Sequence, residues 1–171
     1  MKRIIILITL IVILPFLLFS QNISNLDKKN GFNIFRLGED ISMYQDKLIF
    51  DMEDGQTSLY TYKKANLFYG ASIKEITLLF YKNKLASITV SYGEVQQKDD
   101  EAIIYKLEQV FGVVSKQYNT FSSIKWGMQW KGKNVLLQLQ KYTYDNEIFP
   151  NETHFFIQSI EKIKKQEYDE F

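Results

Sequence analysis

The most hydrophobic part of this chain is its beginning, and we expect that part to lie outside the fold. Lys2 and Arg3 precede an apolar run over residues 4–19, and Ser20 and Gln21 follow the run. A short basic head, an apolar segment and then a small residue are typical of a secretory signal peptide. The sequence therefore predicts an exported protein, periplasmic or secreted, in which residues 1–20 are a signal peptide cleaved near Ser20 and Gln21.

An uncleaved N-terminal anchor is the alternative. The run over residues 4–19 has 16 residues and contains Pro15, whereas a helix that spans a membrane needs roughly 20 apolar residues. No cysteine follows the run, which argues against a lipid anchor. We therefore expect no membrane association after cleavage, and a membrane-anchored structural protein if the segment is kept.

The composition of the remaining chain limits its stability and its partners. The full sequence has no cysteine, so the fold must be stabilised by packing, and its 46% apolar and 15% aromatic residues favour a core rich in β-strands. Loss of Lys2 and Arg3 would change the net charge from +1 to −1. A nucleic-acid-binding domain is expected to be strongly basic. We therefore expect no nucleic-acid partner, and no motif in the chain predicts a cofactor.

Two helices are predicted. Apolar residues at helical spacing over residues 41–48 follow Asp40, which can cap the helix, and the acidic stretch 51–55 would end it in a turn. The second helix, over residues 99–111, opens on acidic residues and stops at Gly112.

Strands are predicted between and after these helices. Residues 73–80 and 85–92 alternate between apolar and polar and read as a hairpin, with Ile76, Leu78 and Phe80 on one face. Ala86, Ile88 and Val90 are expected to share that face. Further strand signals cover residues 58–62, 67–69, 124–130, 135–142 and 153–160.

These elements predict an α+β fold in which two helices pack on one face of an antiparallel sheet. Each helix precedes a hairpin, and the turns at residues 81–84 and 130–133 share the pattern aromatic, Lys, turn residue, Lys, which suggests two tandem helix-plus-hairpin units. The alternative is that hairpin turns simply prefer Asn and Gly. The single domain would cover residues 31–160, with a flexible lead-in over 21–30 and a charged tail over 161–171.

The stretch over residues 37–41, leading into a short helix and an antiparallel sheet, resembles the start of the SmpA/OmlA and β-lactamase-inhibitor-protein fold group. Residues 19–21 are similar to signal-peptide ends of small exported proteins of Bacteroidota. Members of that fold group act by binding other proteins, so the resemblance implies a binding role and names no partner.

Catalytic and metal sites have little support in the sequence. One histidine and no cysteine argue against a nitrogen or sulfur metal site, and His154 reads as a partly exposed residue at the start of a strand. The acidic turn 51–55 does not match a calcium loop, because its glycine comes one place early. A hydrolase that uses paired carboxylates stays open as the alternative function, with Glu75 and Glu94 drawing interest because strands flank them.

Binding residues are more plausible, since exposed aromatic side chains on a sheet can anchor a protein partner. Trp126 and Trp130 occupy the same alternate positions of their strand as Ile124 and Met128, which is the arrangement of a core-facing strand and favours packing. Trp130, at the strand end, is expected to be the more exposed of the two. The full set of candidate binding residues is Trp130, Trp126, Tyr81, Tyr142, Lys82 and Lys131. The sequence thus predicts an exported, non-enzymatic module that binds a protein partner through the open side of the sheet, as an inhibitor, an immunity-type protein or an envelope assembly factor.

Overall fold

The structure is a computed structural model that describes residues 25–62, 67–68, 71–93, 97–118, 124–142 and 152–162. Within these ranges twelve strands form one eight-stranded antiparallel sheet and two short ribbons. The strands are β1 (Gly31–Phe32), β2 (Phe35–Arg36), β3 (Ile49–Asp54), β4 (Thr57–Tyr62), β5 (Leu67–Phe68), β6 (Ala71–Ser72), β7 (Glu75–Tyr81), β8 (Lys84–Tyr92), β9 (Lys116–Tyr118), β10 (Ile124–Lys131), β11 (Val135–Tyr142) and β12 (Glu152–Ser159).

The large sheet has the order β3-β4-β7-β8-β12-β11-β10-β9. Each half of the sheet therefore contains four strands that neighbour one another in chain order, and the two halves meet where β12 pairs antiparallel with β8. At this junction Val90 lies opposite Phe155, and Ile88 lies opposite Ile157. All four side chains are buried, so the centre of the sheet is also the centre of the core.

The predicted fold class is wrong. The protein is mostly β, and one long helix, α1 (Gln97–Phe111), is present in the described part of the chain, so two helices do not pack on the sheet. The predicted helix over residues 41–48 is instead a pair of 3-10 turns, Ile41–Met43 and Gln45–Lys47. Each half of the sheet has four strands, and the long helix α1 precedes the second half only, so helix-plus-hairpin units do not describe the two halves.

Tyr44 explains why residues 41–48 do not form an α-helix. Its backbone, at φ −129° and ψ −6°, leaves helical geometry between the two turns. Its buried side chain packs edge-on against Phe35 at 5.1 Å between ring centroids, donates a hydrogen bond to Glu39 and accepts one from the Arg36 N–H at 3.0 Å. Burial and the bond to Glu39 raise the pKa of Tyr44 to about 12. These tertiary contacts override the local helical spacing. The predicted cap is confirmed, since the Asp40 carboxylate accepts from the Ser42 N–H.

The strongest strand predictions are confirmed. β7 and β8 form the predicted hairpin, with Lys82 and Asn83 at φ +50° and +62°, the backbone of a type I′ turn. The prediction that Ala86 faces the core with Ile88 and Val90 is wrong. A β-bulge shifts the register between Leu79 and Phe80 and puts Leu85 opposite Phe80. Ala86 instead lines a depression on the other face of the sheet.

Helix α1 also follows its prediction. It ends at Phe111, where Gly112 has φ +83° and its N–H bonds to the Glu108 carbonyl. Its buried Ile103 and Leu107 pack on the sheet. In the described part of the chain no helix is long and apolar enough to cross a membrane.

The lead-in was expected to be flexible through residue 30, and this is wrong for residues 25–30. Residues 25–29 are helical, and Leu26 is buried in the core. The Asp27 carboxylate accepts three backbone N–H bonds from the β10–β11 turn: Lys133 at 2.8 Å, Asn134 at 2.8 Å and Val135 at 3.1 Å. We call residues 25–30 and the β1–β2 ribbon the N-terminal layer; it packs on the same face of the sheet as α1. The predicted signal peptide, residues 1–20, lies outside the described residues.

Candidate functional site

The six candidate binding residues do not form one surface. Trp130 is 2% exposed, and its Nε1–H donates to the Gly112 carbonyl at 2.8 Å, so the expectation that it is the more exposed tryptophan is wrong. Trp126 is half-buried against the core. Tyr81 is buried beneath Lys82, whose ammonium lies 4.9 Å from the ring centroid. The two tryptophans thus pack against the core, which is the arrangement that their alternation with core-facing residues favoured in the sequence.

The other candidates are separated from one another. Tyr142 is half-buried, and its hydroxyl donates to the Gln140 side chain at 2.6 Å. Lys82 and Lys131 lie at the β7–β8 and β10–β11 turns, with β12 between the two hairpins. The predicted surface is therefore not assembled as the sequence suggested.

The most exposed apolar side chains of the sheet lie instead on its first edge strand. β3 is the outermost strand beside β4, and all six of its residues are exposed. Ile49 is 48% exposed, Phe50 56% and Met52 54%. The sequence reading assigned residues 51–55 to a turn because they are acidic, which is wrong: the strand extends to Asp54, and the turn lies at Gly55, with φ +57°.

The opposite edge of the sheet differs. β9 has three residues, and Lys116 and Gln117 on it are exposed and polar. A short edge strand with polar and charged side chains is a common way to prevent pairing with another chain. β3 has twice that length and three large apolar side chains, so the two edges are not equally protected.

An apolar path leads from β3 onto the open face. Met52 lies opposite Leu59 of β4, and Leu59 lies opposite Leu79 of β7. Leu59 and Leu79 line a shallow depression of about 270 Å³, which extends to Phe156 on β12. A chain paired with β3 could therefore also place side chains on this face.

β3 is also acidic and irregular. Asp51, Glu53 and Asp54 are exposed, and the register shifts between Phe50 and Met52, so Asp51 is the bulged residue. The Asp51 carboxylate accepts a hydrogen bond from the Thr61 hydroxyl at 2.6 Å, which fixes the bulge. Glu53 and Asp54 are exposed carboxylates on a strand whose outer edge is unpaired in the described chain.

A second polar cluster lies on the sheet at the β8–β12 junction. The Ser91 hydroxyl is 2.9 Å from His154 Nδ1, His154 Nε2 is 3.2 Å from Glu152, and the other Glu152 oxygen is 2.6 Å from Lys74 Nζ. Burial lowers the pKa of His154, and the Glu152 carboxylate opposes this shift. A neutral imidazole that donates from Nε2 and accepts from Ser91 satisfies both contacts.

The contacts from Ser91 to His154 to Glu152 follow the order of a serine hydrolase triad, but the surroundings of Ser91 differ from those of a catalytic serine. Ser91 is buried in a strand that pairs with a neighbour on each side. The N–H groups around it are therefore committed to the sheet, and acyl transfer needs free N–H donors that stabilise an oxyanion. The cluster can hold β12 against β8.

Further titratable groups were interpreted too narrowly from the sequence. Asp100 was explained as a helix cap, yet its buried carboxylate pairs with Lys141 Nζ at 2.6 Å. Burial raises the pKa of Asp100, although Lys141 acts in the opposite direction.

Glu75 lies opposite Ser91 in the sheet, and Glu94 lies outside the described residues. Among the described residues, no three His, Cys, Asp or Glu side chains are grouped so that they could hold a metal ion.

The fold and the edge strand thus define a mostly β domain in which, as far as the described residues extend, one edge of the large sheet is unprotected. Comparison with family models, with curated proteins and with solved structures found no match.

Proposed function

We propose that this protein is an exported, non-enzymatic binding module that takes an extended segment of a partner protein onto the edge of β3. The proposed export rests on the signal-peptide pattern of residues 1–20. The observation that carries the binding role is a six-residue edge strand with three large, half-exposed apolar side chains. Strand addition at such an edge supplies main-chain hydrogen bonds for affinity and side-chain contacts for specificity.

Charge selects the partner. Glu53 and Asp54 favour a segment in which basic residues alternate with apolar ones, because opposite charges on neighbouring strands stabilise the pair. A second copy of this chain is disfavoured, since two paired β3 strands would carry three acidic residues each, Asp51, Glu53 and Asp54, and no basic residue to offset them. The bulge at Asp51 limits regular pairing beyond it and so contributes to this selectivity.

The proposed partner surface lies on a different part of the sheet from the one that the sequence suggested. The sequence suggested the region near Trp130 and the two lysine-rich turns, but Trp130 and Tyr81 are buried. The apolar path through Met52, Leu59 and Leu79 provides the contact area instead.

Photocrosslinking tests the proposal with a matched control. A photoreactive phenylalanine analogue replaces Phe50 in one variant and Tyr105 in the other, and both are made in the cells that produce the protein. The two positions are equally accessible, at 56% and 58% exposed, but Tyr105 lies on α1, away from the edge. We expect a specific adduct from position 50 and none from position 105. Equal labelling at both positions, or labelling at neither, would contradict the proposal.

Affinity measurements add a quantitative test once the crosslinked partner is known. Complete burial of a Phe or Met side chain contributes about 1.5–3 kcal/mol, and both residues are already half-buried, so each has about 1 kcal/mol left to gain. Phe50→Ser with Met52→Ser should therefore weaken binding roughly 30-fold. Glu53→Lys with Asp54→Lys should weaken it further at low salt, whereas Glu108→Lys on α1 should leave it unchanged.

A further inference from the structure

A cleft of about 470 Å³ lies between the N-terminal layer and the C-terminal end of α1. Its floor is formed by Phe155 and Ile157 of the central strand β12, both of which are buried. Phe32 and Phe111 line it as well, and the Phe32 ring lies 6.0 Å from that of Phe155. The cleft therefore has an apolar base in the middle of the core-facing side of the sheet, and its volume is within the range of small-molecule sites, about 300–1,000 Å³.

The remaining lining is cationic. Lys28, Lys29 and Arg36 all line this basic cleft, and all three are exposed. Among the described residues no aspartate or glutamate lines the cleft, and none of the ion pairs found there involves these three cations. Three cations that converge over apolar surface without a carboxylate favour a ligand that brings its own negative charge.

Two of the cations are held in place. The Arg36 guanidinium donates from Nη1 to the carbonyl oxygens of Asn33 at 2.6 Å and Phe35 at 2.9 Å, which leaves its other nitrogens to face a ligand. The Lys29 ammonium lies 5.5 Å from the centre of the Phe111 ring, at the boundary between the charged and the apolar parts of the cleft. A planar guanidinium held by its own backbone is suited to bind a carboxylate through two hydrogen bonds.

We propose that the basic cleft binds a small anionic amphiphile, a long-chain carboxylate, independently of the strand-binding edge. The carboxylate head lies between Arg36 and Lys29, and the hydrocarbon body lies against Phe111 and Phe155. Both parts of the ligand are needed, because the cations would attract any small anion weakly and the floor would accept any apolar chain.

Calorimetry with dodecanoate below its micelle concentration tests this site. The protein isolated from its producing cells should bind dodecanoate at a ratio near one, with at least tenfold lower affinity for dodecanol and for acetate. Arg36→Gln with Lys29→Gln should reduce the affinity for dodecanoate at least tenfold. Lys116→Gln on the edge strand β9 is the control for loss of a surface lysine away from the cleft and should bind as the unaltered chain does. Thermal melts establish that each variant is folded.

Several results would overturn the proposal. They are an absence of dodecanoate binding, equal binding of dodecanol, or unchanged affinity in a folded Arg36→Gln, Lys29→Gln variant. Sedimentation with phosphatidylglycerol vesicles in the absence of dodecanoate binding would assign the cations to a membrane surface instead. Should the double variant fail to fold, Phe111→Gln provides the second test, since it alters the apolar wall and leaves the cations intact.

Discussion

The clamp between Asp27 and the β10–β11 turn gives the sharpest prediction about stability. Asp27 accepts backbone bonds from three consecutive residues of the turn. A β-carbon placed on Gly132 would lie 2.6 Å from Asp27 Oδ1, and its three nearest neighbours would all be atoms of the Asp27 carboxylate. Gly132 is therefore needed because Asp27 is present, and the two positions should be energetically coupled.

The expected magnitudes follow from these contacts. A hydrogen bond to a charged group contributes about 1.5–3 kcal/mol, but water can reach the exposed N–H groups of the turn once the carboxylate is removed. Asp27→Ala should therefore cost about 2 kcal/mol in total. Gly132→Ala should cost a similar amount, because the methyl group displaces the carboxylate from its bonds. The double variant should also lose about 2 kcal/mol, since the obstruction is absent when Asp27 is alanine.

Urea unfolding measures the three values, and the fluorescence of Trp130, buried beside the turn, reports on this region. Each single variant should melt roughly 4–8 °C below the unaltered chain. The double variant should melt at the same temperature as either single variant, which corresponds to a coupling energy of about 2 kcal/mol. Additive losses in the double variant, or an Asp27→Ala change below about 0.5 kcal/mol, would refute the clamp.

Three further predictions concern Asp100, His154 and Gly31. Asp100→Asn should cost about 3–5 kcal/mol in urea unfolding because it removes the buried carboxylate that pairs with Lys141 Nζ. Asp100→Leu with Lys141→Met should be neutral or stabilising, and equal losses in both variants would contradict this account. Because the pKa of His154 is lowered from 6.5, the neutral imidazole stabilises the fold above pH 6.5. This contribution to the free energy of unfolding is lost as the pH falls through the lowered pKa. His154→Gln should reduce this loss of stability at acidic pH. An unchanged dependence of the free energy of unfolding on pH would refute the prediction. Gly31→Ala should disrupt the β1–β2 ribbon, because a β-carbon there would collide with the Phe35 carbonyl oxygen. Dodecanoate binding in calorimetry should then weaken, and unaltered binding would argue against the ribbon's role in the basic cleft.

Elements with complete local signals could be predicted from the sequence. The β7–β8 hairpin combines alternation with a turn at Lys82 and Asn83, and α1 combines an apolar stripe with a glycine stop, so each carries its own evidence. Residues 41–48 carry the same helical spacing, yet the distant contacts of Tyr44 decide their conformation. Local pattern therefore predicts an element well where tertiary contacts agree with it.

The candidate site depends on information that no local pattern contains. Acidic residues in β3 suggested a turn, but an edge strand tolerates them because its side chains stay in water. That β3 is the last strand of its sheet follows from the order of the other seven. Likewise Ser91 and His154 are 63 residues apart in the chain and meet only because β12 pairs with β8.

Amide hydrogen exchange across β3 tests the central proposal most directly. Exchange is measured on the chain alone and on its complex with the partner captured through position 50. The account predicts that exchange slows at least tenfold within residues 49–54 and stays unchanged at residues 116–118 on the opposite edge. Unchanged exchange across residues 49–54, with protection at another surface, would contradict strand addition at β3.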